Sequence, residues 1–338
     1  MLKHTQKIAL YREMLRIRLF EEKVAELYPE QEMRCPVHLS IGQEAPAAGV
    51  CAHLTKEDYA LSTHRAHAHY LAKGGDAKAM MAEFYGREAG CCGGVGGSMH
   101  LIDLPAGFLG AVPIVGSSIP IGVGAALGLK MKRQAGVVVV FFGDGATEEG
   151  VFHESLNFAS LKDLPVVFLC ENNLYSVYSN LSVRQPAGRP IYKLAQAHGI
   201  ESWQGDGNDV LEVYALAGKA VAKARQGGGP TFLELKTYRW REHCGANYDN
   251  HIGYRTEEEF QRWRALCPIA RLKKTLLEED AVCPDDLEKI RSEIEKEIRE
   301  AVTFAKESPY PNEQRLWENI YDEQIVTGDR NETTIEML

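Results

Sequence analysis

Residues 137–173 read VVVVFFGDGATEEGVFHESLNFASLKDLPVVFLCENN. The run Val137–Phe142 is apolar without alternation, β-branched and then aromatic, which is the pattern of a strand buried on both faces. Val166–Cys170 repeats it after a helical stretch, Val151–Leu161. Strand, helix and strand in that short span make a βαβ unit, whose crossover is right-handed and whose two strands run parallel. The stretch therefore predicts the centre of a parallel sheet. Ligands of such sheets sit outside the carboxyl ends of the strands. What stands there is Gly143-Asp144-Gly145-Ala146 after the first strand and Glu171-Asn172-Asn173 after the second.

These residues carry oxygen. Asp144 offers a carboxylate, Asn173 an amide oxygen, and the turn through Leu174 and Tyr175 a backbone carbonyl. An all-oxygen set of this kind, completed by phosphate oxygens, suits octahedral Mg²⁺ holding a diphosphate. Gly143 and Gly145 are expected to let the backbone turn sharply and approach a phosphate, with the following helix aiming its first N–H groups at the anion. A plain tight turn would explain the glycines but not a second polar cluster one crossover later.

Outward from this unit, Gln6–Tyr28 reads as an amphipathic helix with Tyr11, Leu15 and Leu19 spaced by four and Pro29 ending it. The next stretch is rich in glycine and histidine, with LSTHRAHAHYLAKGG at 61–75 and GREAGCCGGVGGSMHL at 86–101. Such segments rarely exist for packing alone. PIGVGAALGLKMK at 120–132 is a helix of small residues. Its GVGAALG resembles part of a dinucleotide fingerprint, but it follows a proline loop instead of a strand, so close helix packing is the reading it supports. A third strand, TFLELKTYRW, follows a helix near Val210–Arg225 and the breaker GGGP. Beyond Tyr254 the pattern is helical, with Leu287, Ile290, Ile294, Ile298 and Val302 in one stripe on a charged helix whose polar side reads as a solvated face, with a partner surface as the alternative, so the chain divides into residues 1–265, an α/β domain, and 266–338, a helical region and tail. From Gly328 onward the sequence reads as a frayed end or a partner-docking segment.

With 338 residues, 45% hydrophobic and 25% charged, the composition is that of a soluble globular protein with a large core. Lys and Arg number 38 against 47 Asp and Glu, a net charge of −9 that argues against a generic nucleic-acid binder. The acidity is concentrated in the tail, where Arg271–Leu338 holds 10 basic and 18 acidic residues. Eight cysteines lie irregularly with no CxxC pair, so neither a zinc site nor a redox motif is indicated and reduced thiols in a cytoplasm are expected. The N-terminus is too charged for a signal peptide, and no apolar run approaches membrane-span length.

GDG followed by NN one crossover later resembles the thiamine-diphosphate motif, and its surroundings resemble the alpha subunit of the 2-oxo acid dehydrogenases. The similarity runs from about Tyr11 to Tyr321 and includes, in the family's order, YREMLRIRLFEEKVAELY, HLSIGQEA, GGSMHL, GFLGAVPIVGSSIPIGVGAAL, DGNDVLEVY, TYRW and GYRTEEEF. It implies the thiamine-diphosphate-binding fold, an α/β architecture with a central parallel sheet, helices on both faces and a C-terminal helical segment. By position it places Asp144, Asn173 and the carbonyl of Tyr175 on Mg²⁺, and the amides of Gly145 and Ala146 on the diphosphate. Arg65 in THRAH matches the arginine that grips the diphosphate, a role suited to bidentate guanidinium–phosphate pairing. His64 beside it joins the cofactor-binding set, as do Pro113 and Val115 of the segment, with Ile114, whose carbonyls hold the aminopyrimidine. Pro113 stands where the family has glycine or serine, and proline keeps its carbonyl.

The resemblance also implies two catalytic histidines, His243 in YRWREHC, close to the cofactor, and His67 after the arginine. Imidazole can shuttle protons at neutral pH or hydrogen-bond without committing charge. His38 and His100 are candidates for supporting roles. The glutamate that activates the cofactor belongs, in the family, to a separate beta subunit, so the chain is expected to be half of an active site in an α₂β₂ assembly. The implied reaction is decarboxylation of a 2-oxo acid, or cleavage of acetoin, with acyl transfer to the lipoyl group of an acyltransferase. The family loop HGHS, with its later serine and Asp-Pro-Gly, is replaced by Arg241, Glu242, His243 and Cys244 before a longer GANYDNHIG. That departure keeps two further readings open: transfer to a non-lipoyl acceptor such as a sugar, and a non-catalytic scaffold, against which the intact Asp144, Asn173, Arg65 and His243 argue.

Overall fold

The computed structural model describes residues 2–316. Its main sheet is built from β1 (Tyr59–Ser62), β2 (Phe108–Ala111), β3 (Val138–Gly143), β4 (Val166–Asn172), β7 (Glu201–Asp206) and β8 (Thr231–Lys236), while β5 (Tyr175–Ser176) and β6 (Ser179–Asn180) form a small separate hairpin. The strand order is β2-β1-β3-β4-β8-β7, and every pairing in the main sheet is parallel. The two continuous apolar runs are thus the two central strands, as their patterns predict.

Residues of β3, β4 and β8 alternate between two cores because successive side chains of a strand point to opposite faces. Val139, Phe141, Val167, Leu169, Leu233 and Leu235 face a core shared with the helices His4–Leu27, Glu44–Cys51 and Val210–Arg225. Val138, Val140, Phe142, Val166, Phe168 and Phe232 face the other, shared with Ser118–Met131, Gly150–Leu161 and Tyr192–Ala197. The small residues of 120–132 serve packing: a Cβ on Gly122 would lie 2.2 Å from Val140 Cγ2.

Three strands are not marked by the sequence pattern. β1 and β2 are four residues each, too short to show a period, and β7 is an edge strand whose two buried positions, Ser202 and Gly205, lie three apart and carry no apolar side chain. The segment after β3 also differs from expectation. Asp144–Glu148 is a 3₁₀ turn, and the helix begins only at Gly150, so Gly145 and Ala146 belong to the turn and not to a helix N-terminus. Neither Gly143 nor Gly145 has a positive φ, so no sharp left-handed turn requires glycine there.

Helix Pro284–Glu307 buries Leu287, Ile294 and Ile298 of its stripe, together with Ala301 and Ala305, in the core that includes the first helix. Its acidic side is more than a solvated face, since Glu293 pairs with Arg12 at 2.6 Å and Glu297 with Arg16 at 2.7 Å. The tail from Gly328 lies outside the described residues. Among the described residues no helix is long and apolar enough to cross a membrane.

Asp58, just before β1, ties three elements together. Its carboxylate accepts from the N–H groups of Thr55 and Val137, each at 2.8 Å, and from both terminal nitrogens of Arg225 at 3.0 and 2.8 Å. Burial pushes this carboxyl up, but Arg225 and the two amides outweigh it and hold it below the usual carboxylate range. A depressed folded value gives stability that is present above the unfolded value, about 3.9, and is lost as pH falls through the folded one. Asp58→Asn is expected to lower stability at pH 7, and the difference from the parent should shrink as urea unfolding is repeated from pH 5 down to pH 3.

Candidate cofactor and active site

The carboxyl edge of the sheet opens into a cleft lined by His64, Arg65, Pro113, Val115, Asp144, Gly145, Ala146, Asn173, Tyr175 and His243. Ten residues chosen from the sequence therefore meet in one place. The parallel register accounts for part of this, since Gly143 lies opposite Glu171 and the two strand ends are level.

On the floor, Asp144 is 1% exposed and pairs with Arg184, whose other nitrogen pairs with Glu148. Burial raises the Asp144 carboxyl, and Arg184 opposes the shift without cancelling it. The carboxylate assigned to a metal is thus already met by a cation. Asn173 Oδ1 accepts from Tyr175 N–H at 3.2 Å, and its Nδ2 donates to Gln43 at 3.3 Å. Asn172 has a structural duty instead, donating to Glu234 at 2.8 Å and accepting from Leu174 N–H at 3.1 Å. The chain leaves this floor under strain, because Leu174 and the β-branched Val177 have φ of 72° and 52°. Arg239 holds the second, donating to the Val177 carbonyl at 2.8 Å.

The wall is a cluster of imidazoles. The ring of His38 is 4.6 Å from that of His64 and 5.1 Å from that of His243, and His64 and His243 are 5.2 Å apart. Burial and then the Arg65 charge push all three toward neutrality, His38 down to about 2 and His64 and His243 down to about 3. Arg65 is itself pushed down to about 10 by burial, with Arg239 next, and remains a cation at neutral pH. It donates to the carbonyls of Leu39 at 2.5 Å and His243 at 3.2 Å. His38 was visible in HLSIGQEA but had no partner in the local sequence to give it a place.

The long loop that carries His243 is closed by its own charged pair. Arg241 donates to the Ala246 carbonyl at 2.9 Å, and Glu242 accepts from Asn247 N–H at 2.8 Å. Asp249 fastens its far end by pairing with Arg255 and Arg239 and accepting from Tyr254.

His67 does not join them. It is 0% exposed, absent from the cleft wall, and holds Glu21 at 3.1 Å through Nδ1 and Ser98 at 2.6 Å through Nε2. It is the first residue of the helix His67–Ala72, which turns its ring into the core. The expectation of a catalytic role touching the cofactor is therefore corrected: His67 positions other parts. Glu21 also accepts from Ser40 N–H at 2.8 Å, and Ser98 precedes Met99, which lines the cleft. His69 is likewise internal, bonded to Ser62 at 2.8 Å and 3.3 Å from Glu171. The His100 ring bonds the Gly96 carbonyl and lies off the cleft wall.

The chemistry of the cleft fits a diphosphate with a divalent cation. Arg65 is a buried guanidinium with no carboxylate partner among the described residues. A Cβ built on Gly143 would meet nothing within 4 Å, leaving space for close approach of a ligand to the strand end. His38 Nδ1 is buried without a hydrogen-bond partner. Asp144 and Asn173 bring oxygen and no sulfur or nitrogen donor, as a hard cation prefers.

Comparison with known proteins agrees with this chemistry. The family described as the dehydrogenase E1 component matches residues 12–314. The alpha subunit of acetoin:2,6-dichlorophenolindophenol oxidoreductase from Bacillus subtilis (strain 168) is 41% identical over 317 residues, covering 92% of each chain. The chloroplastic pyruvate dehydrogenase E1 component subunit alpha-3 of Arabidopsis thaliana is 40% identical, covering 93% of this chain and 74% of its own. The pyruvate dehydrogenase E1 component subunit alpha of Rickettsia bellii (strain RML369-C) is 38% identical, covering 93% and 95%. The chain belongs to the dehydrogenase E1 family, among the alpha subunits of the thiamine-diphosphate-dependent 2-oxo acid dehydrogenases.

The histidine wall makes a direct prediction. Between pH 8 and pH 5, ¹⁵N spectra of His38, His64 and His243 should stay those of neutral imidazoles, because folded values this low keep the proton off throughout the range. A titration of any of the three near the ordinary value of about 6.5 would contradict the burial and Arg65 effects.

Proposed function

We propose that this cleft binds thiamine diphosphate through Mg²⁺ and that the chain, with a beta subunit in an α₂β₂ assembly, oxidatively decarboxylates a small 2-oxo acid or cleaves acetoin in the cytoplasm, passing the acyl unit to the lipoyl group of an acyltransferase. The observation that carries this reading is the convergence on one cleft, at the level ends of β3 and β4, of Asp144, Asn173 and an Arg65 with no carboxylate partner among the described residues. Asp144, the Asn173 amide oxygen and the Tyr175 carbonyl would hold the metal. Gly145 and Ala146 would offer amides to the diphosphate, and Arg65 would neutralise it, a charge-assisted contact of the strong kind. The backbone at Pro113 and Val115 would orient the base of the cofactor.

When bound, thiamine diphosphate supplies a nucleophilic carbon and an electron sink for loss of carbon dioxide. The residues of this chain do the rest of what falls on its side. His64 and His243, neutral and facing the cleft, can donate or accept at a substrate oxygen without placing a charge that would hold a carboxylate in its ground state. His67 acts through others, fixing Ser98 and, by way of Glu21, the Ser40 backbone. The glutamate that activates the cofactor is assigned to the beta subunit.

The test is carbon dioxide release from a panel of 2-oxo acids, and aldehyde release from acetoin, by the chain co-purified with its beta partner, thiamine diphosphate and Mg²⁺ with ferricyanide as acceptor. Turnover of one substrate is expected. Tight cofactor binding with no turnover of any would redirect the search to ketol transfer. Asp144→Ala should abolish Mg²⁺-dependent cofactor binding in calorimetry; unchanged affinity would refute the metal assignment. Arg184→Gln should do the opposite, raising Mg²⁺ affinity, since the metal no longer has to displace a guanidinium from Asp144. His243→Ala should retain cofactor binding and lose turnover.

A further inference from the structure

Cys91 and Cys92 are consecutive residues in the turn that follows helix Ala77–Phe84, and the reaction proposed above uses neither. Their sulfurs lie within 4.8 Å of each other, and Cys92 Sγ donates to the His100 carbonyl at 2.7 Å. Both are half-buried, and their sulfurs lie with a Glu83 carboxylate oxygen within 4.8 Å of one another.

A metal does not fit this group. Glu83 is fully engaged, accepting from the N–H groups of Cys92 at 2.8 Å, Gly94 at 2.9 Å, Gly96 at 2.7 Å and Gly97 at 2.9 Å. A cation would have to strip a buried carboxylate of these bonds, and two sulfurs alone do not complete a tetrahedral site. What remains is a dithiol whose backbone is pinned, Cys91 N–H to the Ala79 carbonyl at 3.2 Å and Cys92 N–H to Glu83. The pinning depends on glycine. Gly94 and Gly97 have φ of 79° and 61°, and a Cβ on Gly90 would lie 2.3 Å from Glu83 Oε2. Two sulfurs held within 4.8 Å of each other by a rigid frame react with each other far faster than free thiols meet. Cys91 beside it lowers the Cys92 thiol against burial and the Glu83 charge, while Cys92 and then burial raise Cys91, so the two differ as a nucleophile and a resolving thiol should.

We propose that Cys91 and Cys92 form a vicinal dithiol that a hydroperoxide oxidises to a disulfide, and that closing this bond loosens the cofactor cleft. The Cys92 thiolate attacks one peroxide oxygen; the O–O bond breaks, and the hydroxide released takes up the thiol proton as water, leaving a sulfenic acid. The Cys91 sulfur attacks the Cys92 sulfur as the S–O bond breaks, and its proton leaves with that oxygen as a second water. Two electrons pass from the sulfur pair to one peroxide. The link to the cleft is the chain itself, which runs from Cys92 through the Glu83-bound turn to Ser98, the partner of His67, and Met99, which lines the cleft.

The test treats the assembled enzyme with one equivalent of hydrogen peroxide and measures the mass of this chain, the peptide that carries the change, and the affinity for thiamine diphosphate with Mg²⁺. The expected result is loss of two hydrogens mapped to Cys91–Cys92, a several-fold weaker affinity, and recovery of both with dithiothreitol. Cys91→Ser should instead give a dimedone adduct at Cys92 with no cross-link. Alkylation of both thiols after peroxide, or a bond from either to Cys35, overturns the dithiol. A disulfide at 91–92 with unchanged affinity, or the same loss of affinity in Cys91→Ser, overturns its coupling to the cleft. Because mass and affinity are read without turnover, failure here is distinct from failure of the proposed reaction.

Discussion

The oxygen donors of the cleft depend on β3 and β4 ending level. Gly143 stands opposite Glu171 in a parallel ladder that begins with Val138 opposite Val166, so the turn bearing Asp144 and the turn bearing Asn173 leave the sheet side by side. A slip of one residue would send each strand's side chains to the opposite face. Phe141 would then leave the core it shares with Val139 and Leu169, and Phe142 would leave the one it shares with Phe168 and Phe232. Burial on both faces therefore fixes the register, and the register places the oxygen donors.

The second constraint is charge out of water. Removing one partner of a buried ion pair typically costs about 3–5 kcal/mol, and the cleft holds two buried groups that face this problem differently. Asp144 is neutralised by Arg184, a side chain borrowed from beyond the β5–β6 hairpin. Arg65 has only the carbonyl oxygens of Leu39 and His243. A diphosphate with its metal would answer both: the metal would replace Arg184 on Asp144, and the anion would meet Arg65. The same Arg65 charge helps keep His38, His64 and His243 neutral, so the cation that would meet the diphosphate also helps set the protonation of the wall above it.

What the sequence makes legible follows from how local the signal is. Continuous apolar runs mark β3 and β4, and the polar residues that end them mark Asp144 and Asn173. β7 escapes because an edge strand with Glu201, Gln204 and Asp206 has no apolar run, and β1 and β2 because four residues show no period. His67 is misread for another reason. Its neighbours in THRAH face the cleft, but His67 opens a helix, and its partners Glu21 and Ser98 are far away in sequence. The charged pair Arg241–Glu242 looks like a change at the mouth of the cleft and is instead the staple of its own loop.

That contrast extends to how a site made largely of loops is kept rigid. The segments around the cleft contain little regular structure, yet four of them are fastened to buried carboxylates. Glu21 takes Ser40 N–H and His67; Glu44 takes Gly42 N–H at 2.9 Å and Arg18 at 2.5 Å; Glu83 takes four amides of the Cys92–Gly97 turn; Asp249 takes Arg255, Arg239 and Tyr254. A buried carboxylate is costly when unsatisfied and strongly directional when satisfied. Each one therefore admits a single local arrangement of the donors around it, so that a loop displaced from its carboxylate loses several charged hydrogen bonds at once. The sheet supplies the position of the Asp144 and Asn173 oxygens, and these carboxylates supply the precision of the histidine and arginine wall above them.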